Sequence, residues 1–205
     1  MTEFWNEALT KASWEKLQEL SKKYGFVLIG GWSAFLWTGM HKSKDIDVVV
    51  GFKTLEQLKQ DFALVKNERL RKYEVRFDGF DLDVYVPFYS RLALPLNELT
   101  PVVVQGIKTV PPEELLILKQ GAEIQRRHST KGRKDAIDIL ALLLNAGVNL
   151  KEYKRLLKKH GLSAWEKELE TVVKEFDERD LKFLNIGFKQ FGDWRKTFLT
   201  QLKAL

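Results

Sequence analysis

Apolar residues recur at helical spacing over residues 4–23, with Phe4, Trp5, Leu9, Trp14, Leu17 and Leu20 on roughly one side. That spacing predicts an amphipathic helix, ended by Gly25. The period then shortens. "FVLI" (26–29) reads as a buried strand, Gly30-Gly31 as a turn, and "WSAFLWTG" as a short helix closed by Gly39. "DIDVVVG" predicts a strand, residues 54–66 a helix, and "YEVRF" with "FDLDVYV" a β-hairpin turning at Asp78-Gly79. "PVVVQGIKTV", after Pro101, is a further strand or hairpin. Beyond Pro111-Pro112 the pattern is helical throughout, over residues 113–127, 133–146, 150–160, 164–176 and 180–204. Proline before Glu113-Glu114 suits a helix start, where acids meet the positive end of the dipole. The expectation is an α+β fold: a small mixed or antiparallel sheet with flanking helices over residues 1–110, then an all-helical region over residues 111–205.

Two aspartates disturb this pattern. Aspartate is a poor strand residue, yet Asp45 and Asp47 interrupt "DIDVVV" at alternate positions and therefore share one face of the strand. Asp81 and Asp83 repeat the arrangement in "FDLDVYV". Backbone positions two apart on a strand are ~6.5–7 Å from one another, close enough for both carboxylates to converge on metal ions ~3.5–4 Å apart. If the two strands are neighbours, three or four carboxylates share a patch. Two such charges about 4 Å apart repel by roughly 4 kcal/mol at an effective dielectric near 20. Mg²⁺ or Mn²⁺, hard cations that take oxygen ligands, would neutralise them. The bland alternative is a pair of edge strands with solvated polar faces, which Thr, Lys or Ser would serve better.

Gly30-Gly31 stands between a strand and a helix start, where free N–H groups can donate to phosphate. The run lacks G-x-G-x-x-G, and His41 before Lys42-Ser43 excludes G-x-x-x-x-G-K-[ST].

Gly30-Gly31, thirteen intervening residues, "DID" and the later "DLDVYV" together resemble the DNA polymerase β-type nucleotidyltransferase superfamily. "GGWSA" and "KSKDID" are similar to its small bacterial and archaeal members, which read GG-x-A and T-K-D-h-D, h being hydrophobic. The resemblance spans roughly residues 24–140. It implies that Asp45 and Asp47 bridge two Mg²⁺ (or Mn²⁺) ions and that a later acid completes the set. Asp83, followed by "VYVP", matches that acid better than Asp81. It also implies a nucleoside triphosphate substrate, with Gly30, Gly31, Ser33 and Lys42 near its phosphates, although Ser33 suits a helix cap equally well. Trp32 and Lys42-Ser43 stand where relatives often carry Ser and Arg-x-Thr.

A second block, "PPEELLILKQGAEIQRRHSTKGRKDAIDILALL", resembles the helical region of abortive-infection-type nucleotidyltransferase toxins. Its matching positions are Lys119, Arg127, Lys134, Asp135 and Asp138; the resemblance assigns Lys119, Arg127, Lys134 and Asp138 to nucleotide binding, with Lys119 on the triphosphate. Asp135 and Asp138 lie three apart on one helix face and would orient Lys119 or Arg127. A salt-bridge ladder between two helices is the plainer reading. The resemblance extends to a hydroxyl acceptor, whether an RNA such as tRNA, a protein or a small molecule, and to an antitoxin or second copy as partner. The departures at Trp32 and Lys42 favour an alternative: an inactive nucleotidyltransferase-fold module that binds a nucleotide or a partner.

Charge changes the picture only slightly. The net charge is +6, and the excess sits in residues 111–205, with 19 Lys/Arg against 14 Asp/Glu. A basic region suits a polyanion such as a triphosphate or RNA. The absence of cysteine excludes a disulfide framework and thiolate metal sites. No apolar run approaches a membrane span, and the charged start is unlike a secretory signal. A cytoplasmic location is expected.

Overall fold

Alternation of apolar and polar residues decides where each strand lies. The structure, a computed structural model, describes residues 7–204. Phe4 and Trp5 of the first expected helix lie outside the described residues. The chain divides into two compact units, one ending at Pro111 and the other beginning at Pro112.

The first unit runs α1 (Glu7–Lys23), β1 (Val27–Ile29), α2 (Gly30–Thr38), β2 (Ile46–Val49), α3 (Phe52–Asp61), β3 (Val65–Asn67), β4 (Lys72–Arg76), β5 (Asp81–Tyr85), β6 (Val102–Val104) and β7 (Ile107–Thr109). These strands form one seven-stranded mixed sheet in the order β3-β4-β5-β2-β1-β7-β6. β2 pairs parallel with β5, and β1 parallel with β7; the remaining neighbours are antiparallel.

One face of the sheet supplies Leu28, Ile46, Val48, Val75, Leu82, Val84 and Ile107 to a single buried core. Leu17 and Leu20 of α1, Trp32 and Leu36 of α2, and Leu55 and Leu58 of α3 complete it. Each fully buried side chain of this size contributes ~1.5–3 kcal/mol. Trp32 is fully buried, packs against Trp14 with the rings tilted and their centroids 4.9 Å apart, and donates from its indole to Ser13 Oγ at 2.8 Å. Its place in the sequence is thereby explained: it locks α2 onto α1.

The sheet is larger than the sequence pattern suggests. The helix expected over residues 54–66 starts at Phe52 and stops at Asp61, because Phe62 turns extended. Residues 65–67 then pair with β4 as an edge strand. A hydrogen-bonded neighbour overrides the local helical spacing.

The second unit contains α4 (Pro112–Arg126), α5 (Thr130–Asn145), α6 (Leu150–Lys159), α7 (Trp165–Lys174), a 3₁₀ turn (Glu178–Phe183) and α8 (Phe188–Ala204). α4 is central: every residue from Glu113 to Gly121 is buried. Gln120 ties it to its neighbours, accepting from Tyr153 Oη at 2.6 Å and donating to the Trp165 carbonyl. The single helix expected over residues 180–204 is broken. Asn185 adopts a left-handed φ of 50°, Gly187 follows, and α8 begins at Phe188.

Candidate active site

The face of the sheet opposite the core carries the acids. Ile46 pairs with Leu82 and Asp47 with Asp83 across the parallel β2–β5 ladder. Because apolar partners Ile46, Val48, Leu82 and Val84 fill the core side, Asp47 and Asp83 are turned together to the other. Asp83, not Asp81, is therefore the acid directly beside Asp47. Asp45 lies one residue before β2, and its carboxylate accepts the Asp81 N–H at 3.2 Å. Lys44 Nζ is 3.9 Å from it.

Asp47 receives a hydrogen bond from Tyr85 Oη at 3.4 Å. Its position depends on Gly30, which faces it from the end of β1. Gly30 has φ +70, and a Cβ there would overlap the Asp47 carboxylate. The Gly30-Gly31 pair is thus not a free turn. α2 begins at Gly30 itself, and the missing side chain makes room for the acid.

Asp83 is mostly enclosed, with 15% of its side chain exposed. Its Oδ2 accepts from Lys72 Nζ at 2.6 Å, while its Oδ1 is buried with no hydrogen-bond partner among the described residues. Burial, and next the charge of Asp47, push the Asp83 carboxyl up to about 6; the Lys72 ammonium works against them. Burial in turn opposes the charged form of Lys72, but Asp83 and Glu74 outweigh it and hold the ammonium above its usual pKa.

Lys72 and Glu74 sit two apart on β4, and Glu74 pairs with Asp83. Lys72 Nζ is 3.1 Å from Glu74, which also accepts from Asn67 Nδ2 of β3 at 2.8 Å. The sequence reading missed this trio. The signal was present in the Asp78-Gly79 turn, which sets Arg76 opposite Asp81 and so, two residues further from the turn on each strand, Glu74 opposite Asp83.

The other expected residues are placed as follows. Ser33 is fully buried on α2, and its hydroxyl is 2.5 Å from Thr109 Oγ1, which donates to the Leu28 carbonyl. This corrects both expected roles: Ser33 fastens α2 to β1 and β7, and Ile29 holds the cap position without a side-chain bond. Lys42 is exposed, and Lys134 is half-buried on α5. Lys119 lies in the second unit, 8% exposed, with its ammonium 2.6 Å from Asp138 and 3.5 Å from Asp135. The carboxylates at i and i+3 do converge on Lys119, as their spacing predicts. The expected triphosphate contact is thus held by two buried acids in this structure. Arg126 takes the remaining oxygen of Asp135 at 2.7 Å. Arg127 pairs with Glu123 and Glu168 instead, and these two acids hold its guanidinium above its usual pKa.

A divalent ion fits the Asp47–Asp83 pair, since Asp83 Oδ1 is an orphaned acceptor beside a second carboxylate. As the side chains stand, no group of three or more His, Asp or Glu converges for metal binding among the described residues. Asp45, the further acid expected there, is turned to the Asp81 amide.

No family model matches the sequence, and no curated protein matches it either. Solved structures do. The Helicobacter pylori protein JHP933 superposes with a TM-score of 0.54 at 15% identity, covering 97% of this chain and 95% of its own. A candidate nucleotidyltransferase from H. pylori gives 0.51 at 14% identity, with 98% of both chains covered. The fold is nucleotidyltransferase-like. An antigenic nucleotidyltransferase-like protein from Paracoccidioides brasiliensis overlaps more loosely, at a TM-score of 0.42 and 21% identity over 79% of this chain and 92% of its own. Within the nucleotidyltransferase-like fold, Gly30, Asp45, Asp47 and Asp83 belong to the first unit and Lys119, Arg127, Lys134 and Asp138 to the second. No helix among the described residues is long and apolar enough to cross a membrane.

Proposed function

We propose that this protein is a metal-dependent nucleotidyltransferase, moving a nucleotidyl group from a nucleoside triphosphate to a hydroxyl acceptor. The observation that carries this reading is the in-register Asp47–Asp83 pair, with an unpartnered buried oxygen on Asp83 and a glycine clearing space for Asp47. Asp47 and Asp83 would hold Mg²⁺ or Mn²⁺, with Asp45 joining them by leaving the Asp81 amide. A metal bound there supplies charge neutralisation for phosphates and a lowered pKa for the acceptor hydroxyl. Asp83, its carboxyl pushed toward neutrality by its surroundings, would accept the hydroxyl proton. The N–H groups opening α2 at Gly30 and Gly31 would face the phosphates beside Asp47. Lys42 is exposed and can reach an anion from the loop before β2. The acceptor, an RNA end, a protein or a small molecule, and the toxin–antitoxin setting belong to the same proposal through the resemblance of the second block.

The test is incubation with Mg²⁺, each labelled nucleoside triphosphate and a total cell extract. The label should pass to one class of acceptor with pyrophosphate release, and Asp47→Ala should abolish transfer. Transfer that survives Asp47→Ala, or none with any triphosphate, overturns the reading. A second reading, a nucleotide- or partner-binding module without turnover, is favoured by Lys72 resting on Asp83 and by Asp45 turned away. Nucleotide binding without pyrophosphate release from any triphosphate would select it.

A further inference from the structure

We infer that the Lys72 ammonium is a resident cation of the carboxylate site, standing in the place of one of two metal ions, so that the site takes a single divalent ion. This rests on the metal-dependent reading proposed for Asp47 and Asp83.

The sheet register delivers Lys72 to this position. Glu74 pairs with Asp83, and Tyr73 with Val84, so Lys72 stands one step beyond on the same face as Glu74 and reaches diagonally to Asp83. Its Nζ is 2.6 Å from Asp83 Oδ2 and 3.1 Å from Glu74, and the three side chains are only 11%, 15% and 14% exposed. Asn67 fixes Glu74 from the neighbouring strand. Lys72 is thus clamped from two sides and enclosed, unlike a surface lysine that exchanges partners with water. Its charge consumes one oxygen of Asp83 and leaves the other, Oδ1, without a partner.

Charge points the same way: the Lys72 ammonium already offsets part of the negative charge that Asp83 and Glu74 bring to the site. A second ion at Asp83 would sit against the ammonium, and like charges this close in an enclosed site repel strongly. Lysine suits such a role because its ammonium is a compact point charge on a long stem.

Counting bound Mn²⁺ on the full-length protein tests the inference, by calorimetry and by the spin-resonance signal of free Mn²⁺. Wild type should bind one ion per chain, and Asp47→Asn should lose it. Lys72→Met should bind a second ion, or the first about tenfold more tightly, a change near 1.4 kcal/mol. Lys72→Arg should keep one. A merely structural lysine would change the melting temperature equally with and without Mn²⁺ and leave the count at one and the affinity unaltered. That outcome overturns the inference, as does a wild type holding two Asp47-dependent ions. Where Lys72→Met does not fold, Lys72→Gln takes its place, with the same second ion or tenfold gain expected and an unchanged count and affinity overturning the inference. If no Asp47-dependent Mn²⁺ binds to any form, the metal-dependent reading falls, and the inference with it. Asp47-dependent binding that ignores Lys72 removes the inference alone.

Discussion

At Gly30 the backbone takes φ +70, and any side chain would overlap the Asp47 carboxylate. One residue therefore meets two demands, a left-handed conformation and an empty volume, and only glycine meets both. Asp83 shows a different compromise, for it is an acid held where its charge is unwelcome. Its folded pKa of about 6 lies above the usual 3.8. A carboxyl raised in this way contributes stability that is complete below the unfolded pKa and is lost as pH rises through the folded one. In EDTA, Asp83 should therefore cost the protein on the order of 2 kcal/mol between roughly pH 4 and pH 6.5. Urea unfolding of wild type and Asp83→Asn across that range provides the check. The difference between the two should grow in favour of the variant as pH rises. A difference that is flat with pH would mean that Asp83 ionises as it does in water.

At the scale of elements, the same charge chemistry has a different outcome in α4 and α5. Gly132 lets the two helices meet, since a Cβ there would overlap the Arg126 carbonyl. Between them Lys119 is buried against Asp138 and Asp135. Removing one partner of a buried pair strands the other charge, whereas replacing both by apolar groups does not. Lys119→Met should therefore lower the unfolding free energy by about 3 kcal/mol or more, and Lys119→Met with Asp138→Leu should recover most of it. Chemical denaturation of the full chain measures both. A loss below about 1 kcal/mol for the single change would mean that water screens the pair as it does at a surface. β2 and β5 are the counterpart in the first unit. Their apolar partners fix the register, and a one-residue slip of either strand would turn its acid, Asp47 or Asp83, toward the core.

For the whole molecule, the division after Pro111 places every carboxylate of the candidate site, together with Gly30 and Lys72, in one unit with its own core. The second unit has a separate apolar centre around α4. A chain ending at Pro111 should consequently bind Mn²⁺ as the full chain does. Calorimetry on the shortened and full chains compares them, and loss of binding would show that the second unit contributes to the site. The basic excess of residues 111–205 is partly spent internally: Arg126, Arg127, Arg133 and Lys119 all pair with acids of their own unit. Net charge alone therefore overstates what this region offers a polyanion.

Alternation in "DIDVVV" and "FDLDVYV" already determined that Asp45, Asp47, Asp81 and Asp83 could not serve the core, because a strand sends successive side chains to opposite faces. The Asp78-Gly79 turn likewise determined the hairpin. Periodicity marked the helices from α4 onward, though not the break at Asn185, where a single left-handed residue interrupts an otherwise helical pattern. What local pattern does not encode is which strand lies beside which. Only the tertiary structure brought Asp83 into register with Asp47 and turned Asp45 to the Asp81 amide. Each of these rests on pairing between segments separated along the chain, and such pairing is decided by the shared core and the hydrogen-bonded ladder, not by the residues adjacent in sequence.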